Sequence, residues 1–124
     1  MRRRALRLLA PGLLAALAAC ASLEAETPAQ RVFALKSEYR AVLGLAVDYE
    51  SLPRCPAATT PVCSEPAVVE LLRRADGRAE IALDRAEQVV RSPAASQGAA
   101  ALAVEAAGAA VAVLRQILID EGVL

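Results

Sequence analysis

Apolar residues recur along this chain at alternating intervals of three and four, in three stretches separated by proline-containing breaks. In the first, Val32, Leu35, Tyr39, Val42, Ala46 and Tyr49 keep that spacing without a slip, the stripe of an amphipathic helix. Leu43 and Val47 are expected to widen it, while Lys36, Arg40, Asp48 and Glu50 stay off it and in water. Thr27-Pro28-Ala29-Gln30 reads as the start. Thr27 is the N-cap, Pro28 sits in the first turn where its missing N–H costs nothing, and Gln30 completes a capping box. Pro53 ends the element, so the predicted helix covers about 28–52.

The second stripe is Val68, Leu72, Ala75, Ala79, Ala82, Ala86 and Val89. Ser64 reads as its N-cap, with Glu65 and Pro66 in the first turn, and the helix is expected over about 65–91. Glu70 with Arg74 and Glu87 with Arg91 are i,i+4 pairs in the favourable order. Gly77 is unfavourable inside a helix by about 1 kcal/mol relative to Ala, but the stripe keeps its register across it, so one continuous helix is predicted. Ser92-Pro93 breaks the pattern. A third helix, starting between Ala94 and Gly98 and placed at about 96–120, carries Val104, Ala107, Val111, Leu114 and Leu118, flanked by Ala103, Ala110 and Ile117. Insertion of this helix into lipid is disfavoured because Glu105 and Arg115 interrupt it.

Three helices of similar length with short connections predict an all-α fold, an up-down-up three-helix bundle. With only Phe33, Tyr39 and Tyr49 as aromatics and much alanine, its core is thin. A body of this kind leans on a staple or a partner helix for firm stability.

Ahead of these helices the pattern changes. Arg2, Arg3, Arg4 and Arg7 precede or interrupt an apolar run from Ala5 to Ala19, which ends in Leu17-Ala18-Ala19-Cys20. This arrangement resembles the signal peptide and lipobox of a bacterial lipoprotein. Only 15 positions lie between Arg4 and Cys20, against the roughly 20 that a spanning helix needs. The resemblance implies a signal-peptide helix over 1–19, cleavage before Cys20, and a covalent bond from the Cys20 thiol to membrane lipid. Residues 20–26 then form the lipidated end and a tether reaching on the order of 20 Å, and 27–124 the helical domain. Ordinary secretion is the alternative, since Ala19 and Ala21 also offer an A-x-A cleavage site that would leave a soluble periplasmic protein. Ala21 after the cysteine resembles the outer-membrane rather than the inner-membrane class, on the periplasmic side.

An exported chain whose Cys20 is consumed by lipid has two thiols left, Cys55 and Cys63, within the loop-rich segment 53–65. The resemblance therefore implies a structural disulfide that staples this loop. Closing so short a loop contributes roughly 2 to 3 kcal/mol. The spacing is not the C-x-x-C of a redox site.

Charge and composition narrow the function further. The chain has 14 basic and 14 acidic residues; without residues 1–19 the balance becomes 10 against 14. No basic cluster favours nucleic acid. There is no histidine, which removes most general-base arrangements. Lys36 and Ser37 are adjacent and do not face each other on a helix. Glu80, Asp84 and Glu87 share a helix face, which reads as a solvated acidic stripe rather than a metal site. No catalytic residue, metal, cofactor or small-molecule substrate is expected. If the chain has a binding patch, the turn with Tyr49, Glu50 and Arg54 is where it is expected, since loops carry function.

Lipobox, Thr-Pro-Ala-Gln-led helix, Leu-Pro-Arg-Cys turn and alanine-rich last helix together resemble small alphaproteobacterial lipoproteins of uncharacterised function. The expectation is a non-enzymatic, membrane-anchored structural or interaction module whose partners are membrane lipid and an envelope protein. The alternative is an accessory subunit of an envelope enzyme or transport assembly.

Overall fold

In the computed structural model, which describes residues 26–56 and 62–124, the three stripes are three helices: α1 over Pro28–Glu50, α2 over Pro66–Arg91 and α3 over Gln97–Asp120. The signal-peptide helix expected over 1–19, the lipobox Leu17, Ala18, Ala19 and Cys20, and most of the tether lie outside the described residues. The direction of each helix follows from its cross-contacts. Lys36 pairs with Glu87 and Glu50 with Arg73, so α1 and α2 run antiparallel. Glu38 accepts from Arg115 at 2.7 Å, and Leu35 lies 3.7 Å from where a Cβ on Gly108 would stand, so α1 and α3 run parallel. The result is an up-down-up bundle in which α2 and α3 pack most extensively and α1 lies against both.

The start of α1 and the ends of α2 and α3 fall where predicted, and the other three ends differ by one or two residues for local reasons. At the start of α1 the capping box forms in both directions: Gln30 N–H donates to Thr27 Oγ1 at 3.3 Å and Thr27 N–H donates to Gln30 Oε1 at 2.8 Å. α1 stops at Glu50, two residues before the predicted end. The N–H of Leu52 turns back to the Tyr49 carbonyl and Ser51 Oγ donates to the Asp48 carbonyl at 2.7 Å. The following Pro53 pushes Leu52 out of helical backbone. The N-cap of α2 is Glu65, not Ser64. Ser64 is only 1% exposed, and its hydroxyl donates to the Leu52 carbonyl at 3.0 Å, so it ties two chain segments together instead of capping. Ser96 caps α3 by accepting from Ala99 N–H at 3.1 Å. At the far end Gly122 takes a positive φ of 69°, and Val123 N–H reaches the Leu118 carbonyl at 2.9 Å. This is a Schellman closure, a left-handed position that glycine adopts without a Cβ penalty.

The buried stripes are Val32, Val42, Ala46 and Tyr49 on α1, and Val68, Leu72, Ala75, Ala79, Leu83 and Ala86 on α2. On α3 they are Ala100, Val104, Ala107, Val111, Leu114 and Leu118. Three predicted positions move; near the end of α2, Val90 packs against the core in place of Val89, which lines the outer side of α2 and α3. Leu83, not Ala82, fills the centre of α2; the steps 79–83–86 and 79–82–86 are equally regular, and the fold buries the larger apolar side chain. Val47 is exposed, and Leu45 packs against the core instead. Two clusters result. Beside the turn, Val42, Tyr49, Leu72, Leu114 and Leu118 pack together; toward the other end, Ala79, Ala86 and Ala107 leave Leu83 and valines to do so. Phe33, the single phenylalanine, is 78% exposed. α3 is long and apolar enough to cross a membrane by length and composition; one stripe of it is buried against α1 and α2, while Leu102, Val113 and Ile119 stay exposed.

Gly77 lies inside an unbroken α2, and a Cβ added there would meet nothing within 4 Å. Gly77→Ala is therefore expected to raise stability by roughly 0.5 to 1 kcal/mol, read as a higher urea midpoint at unchanged slope. A loss would mean that the glycine serves a distortion of the helix.

Ionisable groups between α1 and α2 make the fold sensitive to both acid and base. The acidic stripe is not all solvated: Glu87 is part-buried, accepts from Lys36 and also holds Arg91. The Lys36 hydrogen bond, with the charges of Arg91 and Lys36, keeps its carboxyl below the ordinary range. That contribution is complete at neutral pH and disappears on acidification. Tyr39 Oη donates to Asp76 Oδ1 at 2.6 Å. Burial, then this bond, then the charges of Asp76, Glu80 and Asp84 push its hydroxyl well above the usual tyrosine range. A raised value favours the neutral phenol in the fold, so its contribution holds below about pH 10 and is lost as pH rises further. Stability measured against pH is expected to fall above that point. Tyr39→Phe should flatten this alkaline limb while costing about 1 kcal/mol at neutral pH; an unchanged limb would assign it to another group.

Candidate functional site

The stapled turn gathers the features singled out in the sequence. Cys55 and Cys63 form a disulfide with Cα atoms 5.3 Å apart. Around it the two arms are held by short backbone bonds, Cys55 N–H to the Ser64 carbonyl at 3.1 Å and Ser64 N–H to the Pro53 carbonyl at 2.9 Å. With the Ser64 hydroxyl on Leu52, these bonds fix the end of α1 against the start of α2. Residues 57–61 of the loop are outside the described residues.

Of the predicted binding residues, Tyr49 is buried and structural. Its ring belongs to the core beside Leu114 and Leu118, and its hydroxyl accepts from Glu65 N–H at 3.1 Å. That bond satisfies one of the free donors at the start of α2, the service a capping side chain would otherwise give. Glu50 and Arg54 do come together, with Arg73 and Glu70, around a small recess of about 140 Å³. Glu50 is engaged there by Arg73, which pushes the already charged guanidinium further up. Glu70 also faces Arg74 at 3.7 Å. Within the recess only Glu50 and Arg73 are spent on each other; Glu70 turns to Arg74 outside it, and Arg54 makes no ion pair among the described residues.

A larger groove of about 450 Å³ opens on the other side of the turn. Leu52, Val62 and Val123 give it an apolar lining, and Asp48, Glu65 and Glu121 surround that lining with carboxylates. Sequence spacing brings Asp48 and Glu65 to the turn, but Glu121 and Val123 arrive from the end of α3. The only hint of this was Gly122, which folds the C-terminal residues back over Leu118. Carboxylates around apolar side chains suit a group with an apolar body and a positive end. The chain has no histidine, and no three candidate ligands stand together to hold a metal ion among the described residues.

Comparison with known protein families, curated proteins and solved structures finds no match.

Proposed function

We propose that this chain is a membrane-anchored lipoprotein whose helical bundle is a non-enzymatic interaction module facing the periplasm. The observation that carries the reading is the cysteine arithmetic. Leu17-Ala18-Ala19-Cys20 closes a basic-then-apolar segment, and Cys55 is bonded to Cys63. Cys20 is thereby the odd thiol at the lipobox position. The first helix of the described residues begins at Pro28, so the bundle hangs close to the attachment point. Two or more acyl chains at such a cysteine hold a protein on a bilayer, where one does so only marginally.

The accessory-subunit reading differs in the partner rather than the anchor. It is favoured by Ile81 and Leu102, large apolar side chains left in solvent on α2 and α3.

Intact mass of the exported chain tests the anchor. The expected product begins at Cys20 and carries added diacylglycerol, and Cys20→Ala is expected to lose that mass and leave the membrane fraction. A free thiol at Cys20, or a Cys20→Ala chain that still sediments with membranes, would overturn the reading.

A further inference from the structure

The pair α2 and α3 has two long grooves. One holds α1. The other, on the far side, is open, with a volume of about 590 Å³ and no residue of α1 in its lining. Its floor is small: Ala82 from α2, with Ala99, Ala103 and Ala106 from α3. Ile81 and Leu102 stand on either side at 71% and 69% exposure. An alanine floor between two larger side chains is the shape a further helix packs into, because small residues let helix axes approach closely.

Charge along α2 is divided between its two sides. Asp76, Glu80, Asp84 and Glu87 lie toward α1: Asp76 accepts from Tyr39, Glu87 pairs with Lys36, and Glu80 and Asp84 act on the Tyr39 hydroxyl. Arg78 and Arg85 line the open groove instead. Neither has an acidic residue three or four positions away, and neither makes an ion pair among the described residues. From Gln97 to Val104, α3 carries no charge, so nothing on the opposite wall offsets them.

We infer that this groove is the docking face of the interaction module, resting on that reading, and that its occupant is an amphipathic helix of a partner protein with acidic residues flanking its apolar stripe. The lined length, from Arg78 to Val89, spans about 16 Å, or three helical turns. A second copy of this chain fits less well, because symmetric pairing of the same face sets Arg78 and Arg85 against their own counterparts. A flat anionic bilayer would meet Ile81 and Leu102 but leave the alanine floor unfilled.

The chain has no tryptophan, so Leu102→Trp places a single emitter in the groove. The full chain is held in phosphatidylcholine nanodiscs. It is titrated with a synthetic helix of about 18 residues bearing Leu and Ala on one face and Glu along both flanks, and with its Lys-flanked counterpart. The Glu-flanked helix is expected to shift the emission to the blue and to bind several-fold more weakly as ionic strength rises from about 0.05 to 0.5 M. Arg78→Glu with Arg85→Glu, both on solvent-facing positions, is expected to invert the preference toward the Lys-flanked helix. In the otherwise native chain, Leu102→Glu should weaken binding of a labelled Glu-flanked helix by about tenfold, with helicity unchanged.

Equal response to both helices, or no response, overturns the inference. A blue shift without peptide that grows with protein concentration assigns the groove to a second copy, and one that appears only in phosphatidylglycerol nanodiscs assigns it to lipid; either overturns it. Lipid mass on Cys20 is read separately, so failure of the groove and failure of the anchor are told apart.

Discussion

Leu114→Ala is expected to cost about 3 kcal/mol of folding stability and to lower the thermal midpoint by on the order of 15 °C. Leu114 is fully buried and belongs to the core cluster nearer the turn, to which all three helices contribute, beside Tyr49, Leu72 and Leu118. Truncation there removes apolar contact with each helix at once, and the volume vacated cannot be refilled without moving a whole helix. The arms of the stapled turn hold α1 and α2 in place at this end, which limits such movement. Position matters more than residue type. Leu102→Ala, on a side chain 69% exposed, is expected to change stability by no more than about 0.5 kcal/mol. Urea unfolding followed by far-UV circular dichroism measures both. A loss at Leu114 of less than about 1 kcal/mol would show that the helices slide together and close the space, as an alanine-rich bundle has the freedom to do.

Opening the Cys55–Cys63 bond is the second large change. Its loop is short, a sequence separation of 8, and releasing it returns about 2.5 kcal/mol of conformational entropy to the unfolded chain. Set against a total stability of roughly 5 to 15 kcal/mol for an ordinary domain, that is a large share, and this core has little aromatic mass to offset it. Cys55→Ser with Cys63→Ser should therefore remain helical at low temperature but unfold at distinctly lower denaturant, and reduction of the native chain should reproduce the shift. Four backbone and side-chain hydrogen bonds also hold the turn, from Cys55, Ser64 and Glu65. A shift of less than about 0.5 kcal/mol would mean that these contacts alone close the loop.

Much of the fold was legible because helices announce themselves locally. The Val32-to-Tyr49 stripe, the Thr27–Gln30 capping box, and the Val104-to-Leu118 stripe are set by residues within a few positions of each other, and each appears where its spacing puts it. The errors fall where a residue has a distant alternative. Ser64 looks like a cap until Leu52 offers its carbonyl. Leu83 and Ala82 are equivalent by spacing until α1 and α3 choose between them. Glu87 reads as a solvated carboxylate until Lys36, 51 positions earlier, reaches it. The candidate site was half legible: the turn was located, and Tyr49 lies in the core as its place on the first stripe implies, but Glu121 and Val123 came from the other end of the helical domain.

What the sequence determined by itself is therefore the three helices of the described residues, nearly all of their length, and the basic-apolar segment ending at Cys20, because each depends on short-range periodicity or on order along the chain. What the tertiary structure decided is which faces are spent and which are left over. The α2–α3 pair buries one groove beneath α1 and leaves the other open with Arg78 and Arg85 beside it, and no local pattern distinguishes those two sides. Burial is a property of how many neighbours surround a position, and a helix learns which of its faces is surplus only when the others have been packed.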